Sequence, residues 1–210
     1  MEILTSCNLA SIVPYEPNDT NPWDIQKVKH VYRRLNYGAT DATLNIGILG
    51  TSSELIDTLI QEAIDTPNPP QPEWGFWNIN NYTDYDEENN AQINETYAQT
   101  SLEFINGNLK NRLAFFWFNH FVTQIEVYFY APYLYQYWDL MHTHALGNFR
   151  DFVRAVGSSS AMLFFLNGFE NTNNSPNENY ARALYDLFTF GLNTGYTQTD
   201  IEEPPRALTG

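Results

Sequence analysis

Two histidines, a glutamate and an arginine in the second half of this chain are the residues best suited to chemistry: His120, His144, Glu178 and Arg182. A histidine and a carboxylate brought together can move protons or support metal-assisted hydrolysis, so these four are the candidate catalytic residues. Asn119, Asn148, Arg150, Asn177, Asn179 and Asp186 lie close to them along the chain and are candidate binding residues. Trp74 and Trp77 add two aromatic surfaces on which a sugar ring could stack. No cofactor or metal is specified by these residues. His142 and His144 form an HxH pair, but two positions along a helix turn side chains about 200° apart, so the two cannot chelate one ion there. A serine nucleophile has no GxSxG elbow to present it.

The same groups have a structural reading. Glu178, Arg182 and Asp186 stand four apart, the spacing of ion pairs along a helix, and Asn177 can cap one. His120 and His144 would then be histidines hydrogen-bonded within the core. On this reading the chain is a non-catalytic binding or assembly module with a buried polar hub. On the other it is a hydrolase acting on an extracellular substrate such as a glycan. A pocket beside Glu178 lined by both histidines would favour the enzyme.

The elements that must position these groups are helical. In PNENYARALYDLFTFG, residues 176–191, Pro176 precedes a polar cluster that suits a helix start, and Gly191 supplies a stop. Ala181, Leu184, Leu187 and Phe188 form its expected apolar stripe. Further helices are expected at 23–36, with Ile25, Val28, Tyr32 and Leu35 inward, and after Ser52 or Ser53, with Leu55, Ile56, Leu59, Ile60 and Ala63 inward. Others follow at 91–106, at 109–122 with Leu109, Leu113, Phe116, Trp117 and His120 on one side, and from Ala131-Pro132 onward. A short apolar helix after Ser158–Ser160 reads as core. Pro204 and Pro205 are expected to interrupt a last helix that starts near Thr197 or Thr199.

The fold class expected is all-α: a multi-helix orthogonal bundle with a long aromatic and proline-rich loop excursion at 66–90. The organisation is an irregular arm over 1–22 and a single helical domain over 23–210. The excursion carries Trp74, Phe76, Trp77, Tyr82 and Tyr85, large side chains that anchor a loop to its own domain more often than they face a ligand.

Composition limits partners. With 25 acidic and 10 basic residues the net charge is −15, which repels nucleic acid and anionic membranes. No run of about eighteen apolar residues is present, so no membrane span is expected. The single cysteine, Cys7, excludes an internal disulfide. Its LTSC context resembles the end of a lipoprotein signal without the basic and apolar regions that should precede it, so a signal peptide is not evident.

Four stretches resemble, in order, the motifs of the bacterial family known as domain of unknown function 1800: HVYRRLNYGAT at 30–40, FWFNHF at 116–121, MHTHALGNFRDFV at 141–153, and PNENYARALYDLFTFG. The resemblance implies a mostly helical protein of a kind that is often exported, and no particular reaction; the partner expected for such a protein is an extracellular protein or glycan. Two departures stand out. The family usually has an acid after the arginine of the PNEN motif, where this chain has Ala183. The family domain also normally continues past an ARALTG-like segment, so the chain resembles the first half of a longer domain.

Overall fold

The computed structural model describes residues 14–172, 174–192 and 194–207. Cys7, most of the arm expected over 1–22, and Leu208 to Gly210 lie outside the described residues. Among the described residues the fold is all-α, with two isolated β-bridges and no strands. The helices are α1 (Ile25–Leu35), α2 (Asp41–Gly47), α3 (Ser52–Asp65), α4 (Tyr85–Asn106), α5 (Leu109–His120), α6 (Ile125–Tyr128), α7 (Ala131–His144), α8 (Phe149–Gly157), α9 (Ser160–Phe165), α10 (Asn179–Arg182) and α11 (Gln198–Ala207). A π-helical turn, Ala183–Thr189, continues α10.

Helix α7 is the centre. Its tyrosine-rich sequence carries apolar residues on most sides, and a helix of that kind is buried. Leu134, Tyr137, Trp138, Met141 and His142 are each no more than 5% exposed. Around it, Phe121, Phe152, Val156, Met162 and Phe188 complete the main core with residues from the end of α5, from α8 and α9, and from the π turn. A smaller cluster of Val28, Tyr32, Leu44, Leu55 and Leu59 joins α1, α2 and α3. The two clusters meet through polar contacts at the start of α5. The Lys110 ammonium donates to the Thr66 carbonyl at 2.7 Å, and the Arg112 guanidinium to the Asn36 carbonyl at 2.8 Å.

Helix starts follow side-chain chemistry. Asp24 accepts from the N–H groups of Gln26 and Lys27 to open α1, and Thr51 and Glu54 form a reciprocal capping box that opens α3. The cap of α3 is thus Thr51, one residue before the serines expected. Helix α7 is opened from a distance. Its N-cap residue, Tyr130, offers no side-chain acceptor; instead the fully buried Asn89 accepts from the Ala131 N–H at 2.7 Å and donates to the Phe129 carbonyl at 3.1 Å. Phe129 takes a left-handed conformation, φ 38°, and this bond helps hold it.

The excursion is shorter than expected, because α4 begins at Tyr85, where Asp84 caps it. From Thr66 to Asp84 the chain runs through prolines and two 3-10 turns, Glu73–Phe76 and Ile79–Asn81. Its aromatic residues pin it down. Trp74 is 8% exposed and its indole donates to Glu95 at 3.0 Å, while Tyr130 donates to the Trp77 carbonyl at 2.7 Å. Gly75 permits the close approach to α7: a Cβ there would lie 2.7 Å from the Tyr135 ring.

Other expectations change: Ile60 of α3, expected inward, is 38% exposed. Phe116 points outward, 54% exposed, while α5 buries Leu109, as expected, and Ala114, which was not. Leu187 is 68% exposed, because the π turn widens the helix and shifts the phase of its stripe, leaving Ala181, Ala183 and Phe188 inside. Helix α11 runs through Pro204 and Pro205; Ile201 is buried at 4%, and the Pro205 carbonyl accepts from Asn171 at 2.7 Å.

Candidate functional site

The PNENYAR segment is a polar junction. Asn177 accepts from the Asn179 N–H at 2.9 Å, donates its side-chain amide to the Asn167 carbonyl at 3.0 Å, and its backbone N–H reaches Asn171 at 2.7 Å. Glu178 and Arg182 pair at 2.6 Å, and Arg182 also donates to Gln198 of α11 at 3.1 Å. With Asn171 holding the Pro205 carbonyl, this network ties α11 to α10. It is not the buried hub expected: Glu178 and Arg182 are 31% and 46% exposed, because the short helix α10 buries only Ala181. Asp186 does not join Glu178 and Arg182; it accepts from the hydroxyl of Tyr196. Ala183, where the resemblance places an acid, is buried in the main core.

The histidines lie elsewhere. His120 Nε2 is 2.9 Å from the Phe188 carbonyl, an acceptor, so that nitrogen donates. His144 stacks on Phe152 with ring centroids 5.3 Å apart. A series of ring contacts, His120 to Phe121 to Phe152 to His144, links them through apolar side chains. Asn119 is exposed and bonded back to the Phe115 carbonyl, and Asn148 caps α8 through the N–H groups of Arg150 and Asp151. Arg150 is exposed on that first turn. Among the described residues, no three histidine, cysteine, aspartate or glutamate side chains are grouped to hold a metal.

One polar cluster was not anticipated. His142 and Glu103 pair at 2.7 Å, 1% and 7% exposed. Glu103 also accepts from the Asn111 amide at 3.2 Å and the Trp138 indole at 3.4 Å. Burial pushes the Glu103 carboxyl up, but these donors and the His142 charge together bring it below its ordinary value. The other ring nitrogen of His142, Nδ1, lies 3.1 Å from the Trp138 carbonyl. Both ring nitrogens therefore face acceptors, and neither is free to take a proton from a substrate.

The profile of one protein family, described as a protein of unknown function (DUF1800), matches residues 30–210. The chain belongs to the DUF1800 family. No curated protein and no solved structure matches it. All of the motif segments named from the sequence fall inside the DUF1800 match, as do the Glu103–His142 pair and the π turn.

The DUF1800 chain has a groove above that pair. Pro69, Pro70 and Pro72 form one wall and Glu95, Gln99 and Leu102 of α4 the other, with a volume of about 470 Å³. Trp74, Tyr135 and Trp138 lie at its base, none more than 9% exposed. Trp138 is the indole that donates to Glu103, so the ion pair fixes the base of the groove. Trp77, the other tryptophan singled out from sequence, instead packs edge-on against Tyr82, 5.4 Å between centroids. A larger hollow at the end of α3, about 630 Å³, is open and bordered by Gln61, Glu62 and Asp65.

Proposed function

We propose that this chain is a non-catalytic binding module of extracellular assemblies whose groove takes an extended, basic and hydrophobic segment of a protein partner. The observation that carries this reading is the groove itself, an apolar trough with aromatic residues at its base and prolines on one wall, in a chain of net charge −15. The proline wall, Leu102 and the aromatic base accept an apolar side chain of an extended peptide, and the acidic field favours lysine or arginine flanking it. Further support comes from the residues first considered for catalysis. His120 is bonded to the Phe188 carbonyl, Glu178 and Arg182 to each other and to Gln198, Asn177 accepts from the Asn179 N–H, and Asn148 caps α8.

The test is selection of linear peptides displayed on phage against the immobilised chain, followed by titration of the enriched peptides. Peptides combining a large apolar residue with lysine or arginine are expected, with at least tenfold weaker binding to Leu102→Asp and Gln99→Arg variants. Binding is also expected to weaken as salt rises from 50 to 500 mM, as for any attraction between exposed charges. Enrichment of acidic peptides, or of peptides indifferent to both variants, would reject the groove as the binding surface.

A further inference from the structure

Beside the groove, on the other side of Trp138, lies a second cavity of about 210 Å³ between α4, α5 and α7. Tyr97, Phe104, Phe115, Phe118, Leu134 and Trp138 line it. The rings sit edge to face, Phe104 against Phe115 at 4.6 Å and Phe118 against Trp138 at 5.2 Å, so a ligand would meet both ring faces and ring edges. Leu134 and Trp138 are buried, while Phe115 and Tyr97 are 39% and 47% exposed and stand at the mouth.

The threonine hydroxyls and the indole N–H of the wall are already committed. The Thr96 hydroxyl donates to the Gln92 carbonyl at 3.0 Å and the Thr100 hydroxyl to the Thr96 carbonyl at 2.9 Å, both within α4. The Trp138 indole N–H is held by Glu103. A ligand inside would therefore bury apolar surface against aromatic rings and methyl groups. Without hydrogen-bond compensation, a charged group there would be costly. An apolar cavity of about 150 Å³ has room for benzene, so this one has room for two fused rings.

We infer that this cavity is a binding site for a small, neutral, bicyclic aromatic molecule. The site is separate from the peptide groove and does not depend on a peptide binding there. Aromatic ligands are favoured over aliphatic ones of equal size because edge-to-face and offset contacts with five rings add to simple burial.

The experiment is calorimetric titration of the intact chain with 2-naphthol, 2-naphthoate and n-octanol, alongside sedimentation of the chain with and without 2-naphthol. Saturable one-to-one binding of 2-naphthol is expected, at least tenfold tighter than either of the others, with no change in sedimentation. Thr100→Phe, which fills the cavity, is expected to weaken 2-naphthol at least tenfold. If that variant does not fold, Phe115→Trp narrows the mouth and should lower affinity severalfold. Absence of saturable binding, equal affinity for octanol, or binding unchanged in the folded variant would overturn the assignment. So would 2-naphthol binding that only accompanies dissociation of a dimer, because the cavity's occupant would then be a side chain of a second copy. A successful naphthol titration with no selected peptide would leave this site standing and reject only the groove.

Discussion

Glu103 and His142 make acid the natural probe of this molecule. The carboxyl of Glu103 is depressed below the ordinary 4.5 in the folded chain, so its contribution to stability is fully present above that value and is lost as pH falls through the folded pKa. Urea midpoints measured at pH 6 and at steps below 4.5 should fall in the wild type, and Glu103→Gln should flatten that fall while lowering stability at pH 6. Removing only the partner is more damaging. His142→Ala leaves a carboxylate buried with two weaker donors and is expected to destabilise by about 3 kcal/mol in urea unfolding. This pair was hidden in the sequence for a definite reason. Helical geometry shows that His142 and His144 face apart, but it cannot name the acid that one of them meets, and Glu103 lies on a different helix 39 residues away. Glu178 and Arg182, four apart on one helix, were legible because their contact is local.

At the scale of elements, the start of the central helix was legible from Ala131-Pro132, but its end at His144 and the new start capped by Asn148 were not, because a single helix was expected to run on through Gly147. The short helix α2 was missed: seven residues contain too little periodicity to register. The start of α4 was missed because its first turns, YDEENN, are polar and read as loop. The π turn could not be anticipated from an apolar stripe written with ordinary helical spacing. Two caps of different kinds should have different weights. Thr51→Ala removes an exposed capping box and should cost about 1 kcal/mol. Asn89→Ala strands the buried Ala131 N–H and should cost about 2 kcal/mol, measured in the same urea series. The contact between α8 and α10 is tighter still. A Cβ on Gly157 would lie 2.2 Å from the Tyr180 hydroxyl, which donates to the Val153 carbonyl. Gly157→Ala is expected to destabilise by about 2 kcal/mol. Tyr180→Phe, by removing the colliding oxygen, should recover part of that loss in the double variant, a non-additivity expected of residues in contact.

Across the whole molecule, the all-α architecture followed from patterning, and the anchored excursion from the weight of its aromatic residues. The grouping of predicted site residues did not follow, because it depends on how helices from distant parts of the chain are laid together. That laying together is uneven. Helix α7 touches nearly every part of the main core, whereas α1, α2 and α3 form a core of their own and reach the rest through a narrow seam that includes the carbonyls of Thr66 and Asn36 and the Tyr37–Phe104 ring contact. The two parts should therefore differ in how often they open. In amide hydrogen exchange, the interior amides of α7 are expected to exchange only with global unfolding, while those of α1 to α3 exchange severalfold to hundredfold faster through a partial opening. Lys110→Met and Arg112→Met should accelerate α1 to α3 further and leave α7 unchanged. Under gradual denaturation such a molecule would lose its first three helices as a unit, and the central helix would hold the remaining fold until it yields all at once.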